Sequence, residues 1–127
     1  YCAVVEGDIP LKEGLIDAPL KEDRNGHVRV DAKGLTALTH WRVLEEGPLY
    51  TLLELSLETG RKNQIRAHMA ELNRPIAGDI KYGAASDPLK RLALHASKIS
   101  IIHPGNSRLC SWEVPPPPSF LALVRQK

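Results

Sequence analysis

No apolar run in these 127 residues approaches the roughly 18 positions that a membrane-spanning helix needs. The chain does not open on a charged stretch followed by an apolar one, as a secretory leader would. Its two cysteines, Cys2 and Cys110, stand far apart and form no CxxC unit, so neither a zinc knuckle nor a redox pair is indicated. Two structural thiols in a reducing compartment are the simpler reading. There is no internal repeat and no low-complexity tract beyond the prolines at 115–118. What remains is a soluble domain, cytoplasmic in the simplest case and long enough to bury a core without staples. The first residue is Tyr rather than Met and sits directly in an apolar strand, so the expectation is a piece cut from a longer protein.

The net charge of +2 is small, but it is unevenly spread. Residues 1–58 carry six Lys or Arg against eleven Asp or Glu, a balance of −5; residues 59–108 carry nine against three, a balance of +6. A basic half of this kind favours a polyanionic partner, though only modestly.

Residues 1–5 have the apolar, β-branched character of a buried strand, and 9–20 reads as a loop with short extended pieces. The polar run 21–26 ends in Asn25-Gly26, a hairpin signal between Leu20 and Val28. The segments 35–45 and 49–58 form the clearest strand pair, joined by Glu46-Gly47-Pro48. Leu53, Leu55 and Leu57 alternate with Glu54, Ser56 and Glu58, one face core and one wet. His40 in the first of these strands is expected to be a satisfied partner of the sheet rather than a ligand.

The stretch 57–83 organises the rest. Thr59-Gly60 suits a sharp turn. Ile65, Met69 and Leu72 then make an apolar stripe at the helical period, with Asn63 as N-cap and Asn73 and Pro75 as the stop. Arg61, Lys62 and Arg66 crowd the start of that helix, which is an anion site for a phosphate or for a carboxylate from elsewhere in the fold. From charge alone, a solvated basic face is the competing reading. Beyond it, 84–89 is a loop, 92–102 is extended, and Gly105-Asn106 turns the chain into a second hairpin through 108–114. Pro115 to Pro118 form a stiff spacer, and Ser119 caps a final helix that packs Phe120, Leu121 and Val124 on the domain.

Four groups of residues, in order and at matching spacing, resemble the C-terminal half of the RluA-type pseudouridine synthases. They are Tyr1-Cys2-Ala3-Val4-Val5-Glu6-Gly7; Thr59-Gly60-Arg61-Lys62-Asn63-Gln64-Ile65-Arg66-Ala67-His68; Pro75-Ile76-Ala77-Gly78-Asp79-Ile80-Lys81-Tyr82-Gly83; and Leu94-His95-Ala96 with His103-Pro104. The resemblance covers nearly the whole chain. It implies an α+β fold with a mixed, mainly antiparallel sheet and a few helices, with 1–127 forming the C-terminal portion of a catalytic domain. It implies isomerisation of uridine to pseudouridine in structured RNA, ribosomal RNA before tRNA, with no cofactor and no metal.

The same resemblance implies a site in which an Asp acts as nucleophile, a Tyr stacks on the base and an Arg pairs with the Asp. Tyr1 falls at the position of the Tyr and Arg66 at that of the Arg. A bidentate guanidinium suits a shielded carboxylate because it never loses its proton, and a phenol offers both a π-face and a polar tip. The family's Asp segment, His-Arg-Leu-Asp followed by Thr-Ser-Gly, is absent here, so the chain alone is expected to be inactive. Asp79 belongs to another motif and is expected to fix the loop after the helix. Asn63 stands where many members carry His. Gln64, Ile65 and His68 are expected to support the site, and Arg61, Lys62, Arg74, Lys81, Lys90 and Arg91 to hold phosphates.

His68 and Glu71 lie at i, i+3, but the inverted zinc motif needs a His where Leu72 stands, and His95 and His103 complete no compact ligand set. Two other functions compete with the isomerase: a non-catalytic RNA-binding or ribosome-assembly module, and a metal-dependent hydrolase.

Overall fold

The computed structural model describes residues 1–102 and 109–126. Its main sheet has five strands in the order β2-β5-β6-β1-β7: β1 (Cys2–Glu6), β2 (Glu13–Asp17), β5 (Leu38–Glu46), β6 (Tyr50–Leu57) and β7 (Leu94–His95). Every described pairing in it is antiparallel. Two hairpins stand apart, β3 (Leu20–Glu22) with β4 (Val28–Val30), and β8 (Lys98–Ile102) with β9 (Leu109–Glu113). The α-helices among the described residues are α1 (Gln64–Glu71) and α2 (Pro118–Val124), with a 3-10 turn at Ile80–Tyr82. The α+β class is the one the sequence implies.

β1 and β6 are the centre of the core. Cys2 to Val5 are buried without a break, as are Thr51, Leu52 and Leu53. Successive residues of a strand point to opposite faces, so both faces of the sheet are covered there. Toward its end β6 alternates as expected, with Leu55 buried and Ser56 exposed. α2 packs Phe120, Leu123 and Val124 into this core, with Leu121 only partly buried. The burial of Phe120 alone contributes about 1.5–3 kcal/mol.

Four local expectations change. Within 9–20, expected as a loop with short extended pieces, the segment 13–17 is a continuous edge strand paired along its length with β5. Gly14 makes this possible, because a Cβ there would lie only 2.6 Å from the Trp41 ring. Ser119 does not cap α2; the helix begins at Pro118, with Pro117 in the N-cap position, where a missing N–H costs nothing. Gly60 is not the left-handed residue of the turn before α1; Asn63 is, at φ 53, which its short polar side chain tolerates. Asn63 accordingly holds the N-cap position without a capping hydrogen bond. The turn at Gly105-Asn106 and His103 lie outside the described residues, although the β8–β9 pairing itself is present.

The outer edge of β1 is shared by two later segments, which places the site. β7 pairs with Cys2 and Ala3. The stretch 75–77 covers the other end, where the Glu6 N–H donates to Pro75 O at 2.9 Å and the Ala77 N–H to Val4 O at 2.8 Å. The chain then turns at Gly78, whose φ is +85 and whose would-be Cβ lies 2.2 Å from Arg91 O. A side chain is excluded there, and Asp79 is delivered beside α1.

Candidate active site

α1 starts directly after the β5–β6 hairpin, and its first turn is held by side chains rather than by Asn63. The Leu38 N–H donates to Thr59 Oγ1 at 3.0 Å, and the Thr59 hydroxyl donates to Gln64 Oε1 at 2.7 Å. Gln64 Oε1 also accepts the Arg61 N–H at 3.0 Å, so the amide supplies the cap. Gln64 Nε2 donates to Leu38 O and to Thr39 Oγ1, both at 2.9 Å. Thr39 Oγ1 lies 2.7 Å from His68 Nδ1, and His68 Nε2 lies 2.9 Å from Ala18 O.

A carbonyl only accepts, so His68 carries its proton on Nε2 and takes the Thr39 hydroxyl hydrogen on Nδ1. Gln64, His68 and Thr39 are all buried, and burial pushes the imidazole below its ordinary pKa. His68 is therefore a neutral structural residue with both nitrogens engaged. Ile65, buried with Met69 in the main core, seats the same turn. The three residues expected to support the site thus hold α1 against β5 and the segment leading to β3.

Arg66 points elsewhere. Its Nε donates to Asp79 Oδ2 at 3.0 Å and its Nη2 to Asp79 Oδ1 at 2.8 Å, a side-on bidentate pair. The Asp79 side chain is 1% exposed and that of Arg66 24%. The hydrogen bonds to Asp79 keep the Arg66 guanidinium charged, its pKa above the ordinary value despite partial burial. Its Cζ also lies 4.7 Å from the centre of the Tyr82 ring, within cation–π range. Tyr82 is itself fixed, its hydroxyl accepting the Val28 N–H at 3.1 Å and its ring stacked on His27 at 4.4 Å. Asp79 does more than fix a loop: its carboxylate occupies one edge of Arg66 at the helix start.

Tyr1 continues the sheet, its carbonyl accepting the Leu55 N–H at 2.8 Å, and the residue is exposed. Tyr1 and Arg66 line one cavity of about 200 Å³ together with Leu57, Arg61, Asn63, Gln64, Ile65 and Leu94. The two residues expected to do chemistry are thus brought together from positions 65 apart in the chain, one at a strand end and one at a helix start.

The candidate phosphate contacts do not behave alike. Arg61 lines the same cavity and donates from Nε to Thr36 O at 2.7 Å. Lys62 pairs with Glu22 at 2.8 Å. Arg74 sits at the far end of β1, donating to Asp8 O and Asn73 O. At about 3.3 Å per residue, that end lies roughly 20 Å from Tyr1. Arg91 is turned back on the carbonyls of Leu92 and Leu94 and lies over the Phe120 ring. Lys81 and Lys90 are exposed and have no ion-pair partner among the described residues.

Among the described residues no three His, Cys, Asp or Glu side chains converge on a point that would hold a metal. His40 is exposed and pairs with Glu58 at 3.3 Å, and Cys2 is a buried free thiol. No described helix is long and apolar enough to cross a membrane.

Comparison with known proteins identifies the family and the fold. The model of the RNA pseudouridylate synthase family matches residues 1–71. An uncharacterized RNA pseudouridine synthase of Bacillus subtilis, YhcT, is 41% identical over 129 residues, covering 98% of this chain and 43% of that protein. Ribosomal large subunit pseudouridine synthase D of Nitrosomonas europaea is 40% identical over 136 residues, covering 98% and 39%. The solved structure of human RNA pseudouridylate synthase domain containing 1 superimposes with a TM-score of 0.77 at 26% identity, over 90% of this chain and 52% of that one. The chain spans about two fifths of the length of these curated relatives. With the family model matching more than half of its length and its fold in agreement, the chain belongs to the RNA pseudouridylate synthase family, in the RluA-type branch.

Proposed function

We propose that this chain is the C-terminal portion of the catalytic domain of an enzyme that isomerises uridine to pseudouridine in structured RNA. Ribosomal RNA is the favoured target, in keeping with the names of several relatives, and the cytoplasm is the site of action. The observation that carries this reading is the shared cleft of Tyr1 and Arg66 at the start of α1.

The reaction breaks the C1'–N1 bond of the nucleotide, turns the uracil and joins C5 to C1'. The hydrogen of C5 leaves as a proton, so the product is an isomer and no electron carrier is needed. In this cleft the exposed Tyr1 ring is the surface on which a uracil rests, and its hydroxyl is the polar group nearest the base. Arg66 holds the nucleophilic carboxylate, which this chain does not contain and an upstream segment must bring. Within a paired stem the target base is out of reach, so the nucleotide is flipped out or taken from a loop. Arg61 lies beside the cleft, and Lys81 and Lys90 offer uncommitted charge for the flanking phosphates.

The test uses a large-subunit ribosomal RNA transcript tritiated at uridine C5, with the complete protein and with this chain alone. The complete protein releases tritium and the isolated chain does not. Replacing Arg66 by Ala in the complete protein lowers kcat by about 10²–10³-fold, the range seen when one preorganised donor is removed from an active site. If the complete protein binds the transcript and releases nothing, the domain is a non-catalytic RNA-binding module.

A further inference from the structure

A guanidinium has five N–H groups arranged as two bidentate edges. Asp79 occupies the side edge of Arg66, taking the Nε hydrogen and one Nη2 hydrogen. The second Nη2 hydrogen and both Nη1 hydrogens remain, and the Nη2 hydrogen with one of the Nη1 pair forms the end-on edge of a side chain that lines the cleft. From this geometry we infer that Asp79 and Tyr82 are positioning residues: they grip Arg66 by one edge and one face, so that the other edge stands ready as a fork for a second carboxylate. The inference rests on the role proposed above for Arg66.

Two constraints act on the guanidinium. The buried Asp79 carboxylate sets its direction within its own plane. The Tyr82 ring at 4.7 Å sets the tilt of that plane. The ring in turn is held by the Val28 N–H and by stacking on His27, so the β3–β4 hairpin reaches the cleft through Tyr82 without touching it. An arginine so held loses little freedom when its partner arrives, which is the gain from preorganisation.

The charge balance also follows. The Arg66–Asp79 pair is formally neutral, so the incoming carboxylate meets directed N–H groups rather than a full unshared positive charge. Arg66 then aims the nucleophile while leaving it more electron-rich than a dedicated ion pair would.

Asp79→Asn in the complete protein tests this, because it keeps the shape while removing the charge and one of the two acceptors. With the tritiated ribosomal transcript as probe, kcat falls roughly 10- to 100-fold, the scale of a small misplacement of a reacting group. KM changes by less than about 2-fold, since the substituted group does not touch RNA. In an Arg66→Lys background, where no fork exists to be aimed, the same Asp79→Asn change lowers kcat by less than about 2-fold. An equal loss in both backgrounds overturns the inference, because it marks a general effect on the fold. An unchanged kcat in Asp79→Asn alone overturns it as well. The failure of the parent reading looks different: the unsubstituted complete protein then releases no tritium, and both proposals fall.

Discussion

Gln64 and His68 lie on one side of α1 and Arg66 on the other, and the two sides treat their polar groups in opposite ways. On the first side every donor and acceptor is used inside the protein, from the Leu38 N–H to the Ala18 carbonyl. On the second, Arg66 has given two of its five hydrogens to Asp79 and lines a cleft with the other three unpaired in any described hydrogen bond. Both arrangements are satisfied in the sense that burial demands. Only the second has capacity to spare. Residues of one short motif thus divide into those that hold the helix and one that the helix presents.

Breaking the closed side costs stability first. His68→Ala leaves the Ala18 carbonyl without its donor and the Thr39 hydroxyl hydrogen without an acceptor, and Gln64→Ala takes the acceptor from the Thr59 hydroxyl and the Arg61 N–H. At about 1–3 kcal/mol per orphaned buried group, each substitution destabilises the complete protein by about 2–4 kcal/mol. Denaturant titration reads that loss. Activity per folded molecule falls far less than for Arg66→Ala; a reverse order would place the chemistry on the wrong side of α1.

A smaller effect separates the two sides by pH. Burial holds the folded-state pKa of His68 below its unfolded value. Its neutral form is fully compatible with the fold above about pH 6.5, the unfolded value. As the pH falls below that, the unfolded chain binds a proton that the folded one refuses, and stability is lost down to the folded pKa. The slope of this loss is at most about 1.4 kcal/mol per pH unit. The difference between the wild type and His68→Gln, measured by denaturation from pH 7.5 to 5, isolates it from the carboxylates. A difference that is flat across this range would mean that folding leaves the His68 pKa unshifted, and a slope of opposite sign that the fold favours its charged form.

The smallest expected effect concerns the surface. Lys81 and Lys90 are uncommitted among the described residues, whereas Lys62 and Arg74 are bound to Glu22 and to the backbone near Asp8. Replacing Lys81 and Lys90 by Ala reduces the salt dependence of RNA binding by about 0.7 in log–log slope for each phosphate no longer neutralised. Replacing Arg74 changes it less, being at the far end of β1. Filter binding of the ribosomal transcript between 50 and 200 mM salt distinguishes these cases.

The parts of this fold legible in the sequence are those whose causes are local. The Asn25-Gly26 turn joins β3 to β4, the alternation after Leu53 marks β6, and the spacing of Ile65 and Met69 marks α1. Edge strand β2 escaped because its interior Gly14 reads as a break, whereas it is the niche for Trp41, whose strand comes much later. Asn63 was legible as the residue before the helix but not as left-handed, because the cap it would have supplied comes from Gln64. In the site, Tyr1 and Arg66 were identified by family resemblance and the structure adds that they share a cleft. The basic helix start left a phosphate and a carboxylate open, and nothing in the sequence pointed to Asp79 and Tyr82 as the grip on Arg66. That grip depends on the segment after Pro75 running back along β1, which no spacing within the motif records.

The hydrogen bonds behind α1 also run one way. Proton by proton they pass from the Leu38 N–H through Thr59, the two ends of the Gln64 amide and Thr39 to His68, and stop at a carbonyl. Both ends are backbone, so the sequence of donors cannot be reversed, and flipping the Gln64 amide would set oxygen against oxygen and hydrogen against hydrogen. There is only one arrangement of hydrogens for the whole chain. The fold therefore specifies tautomer and amide orientation as strictly as it specifies shape, and a substitution equal in size but opposite in donor order is, at these positions, not a conservative one.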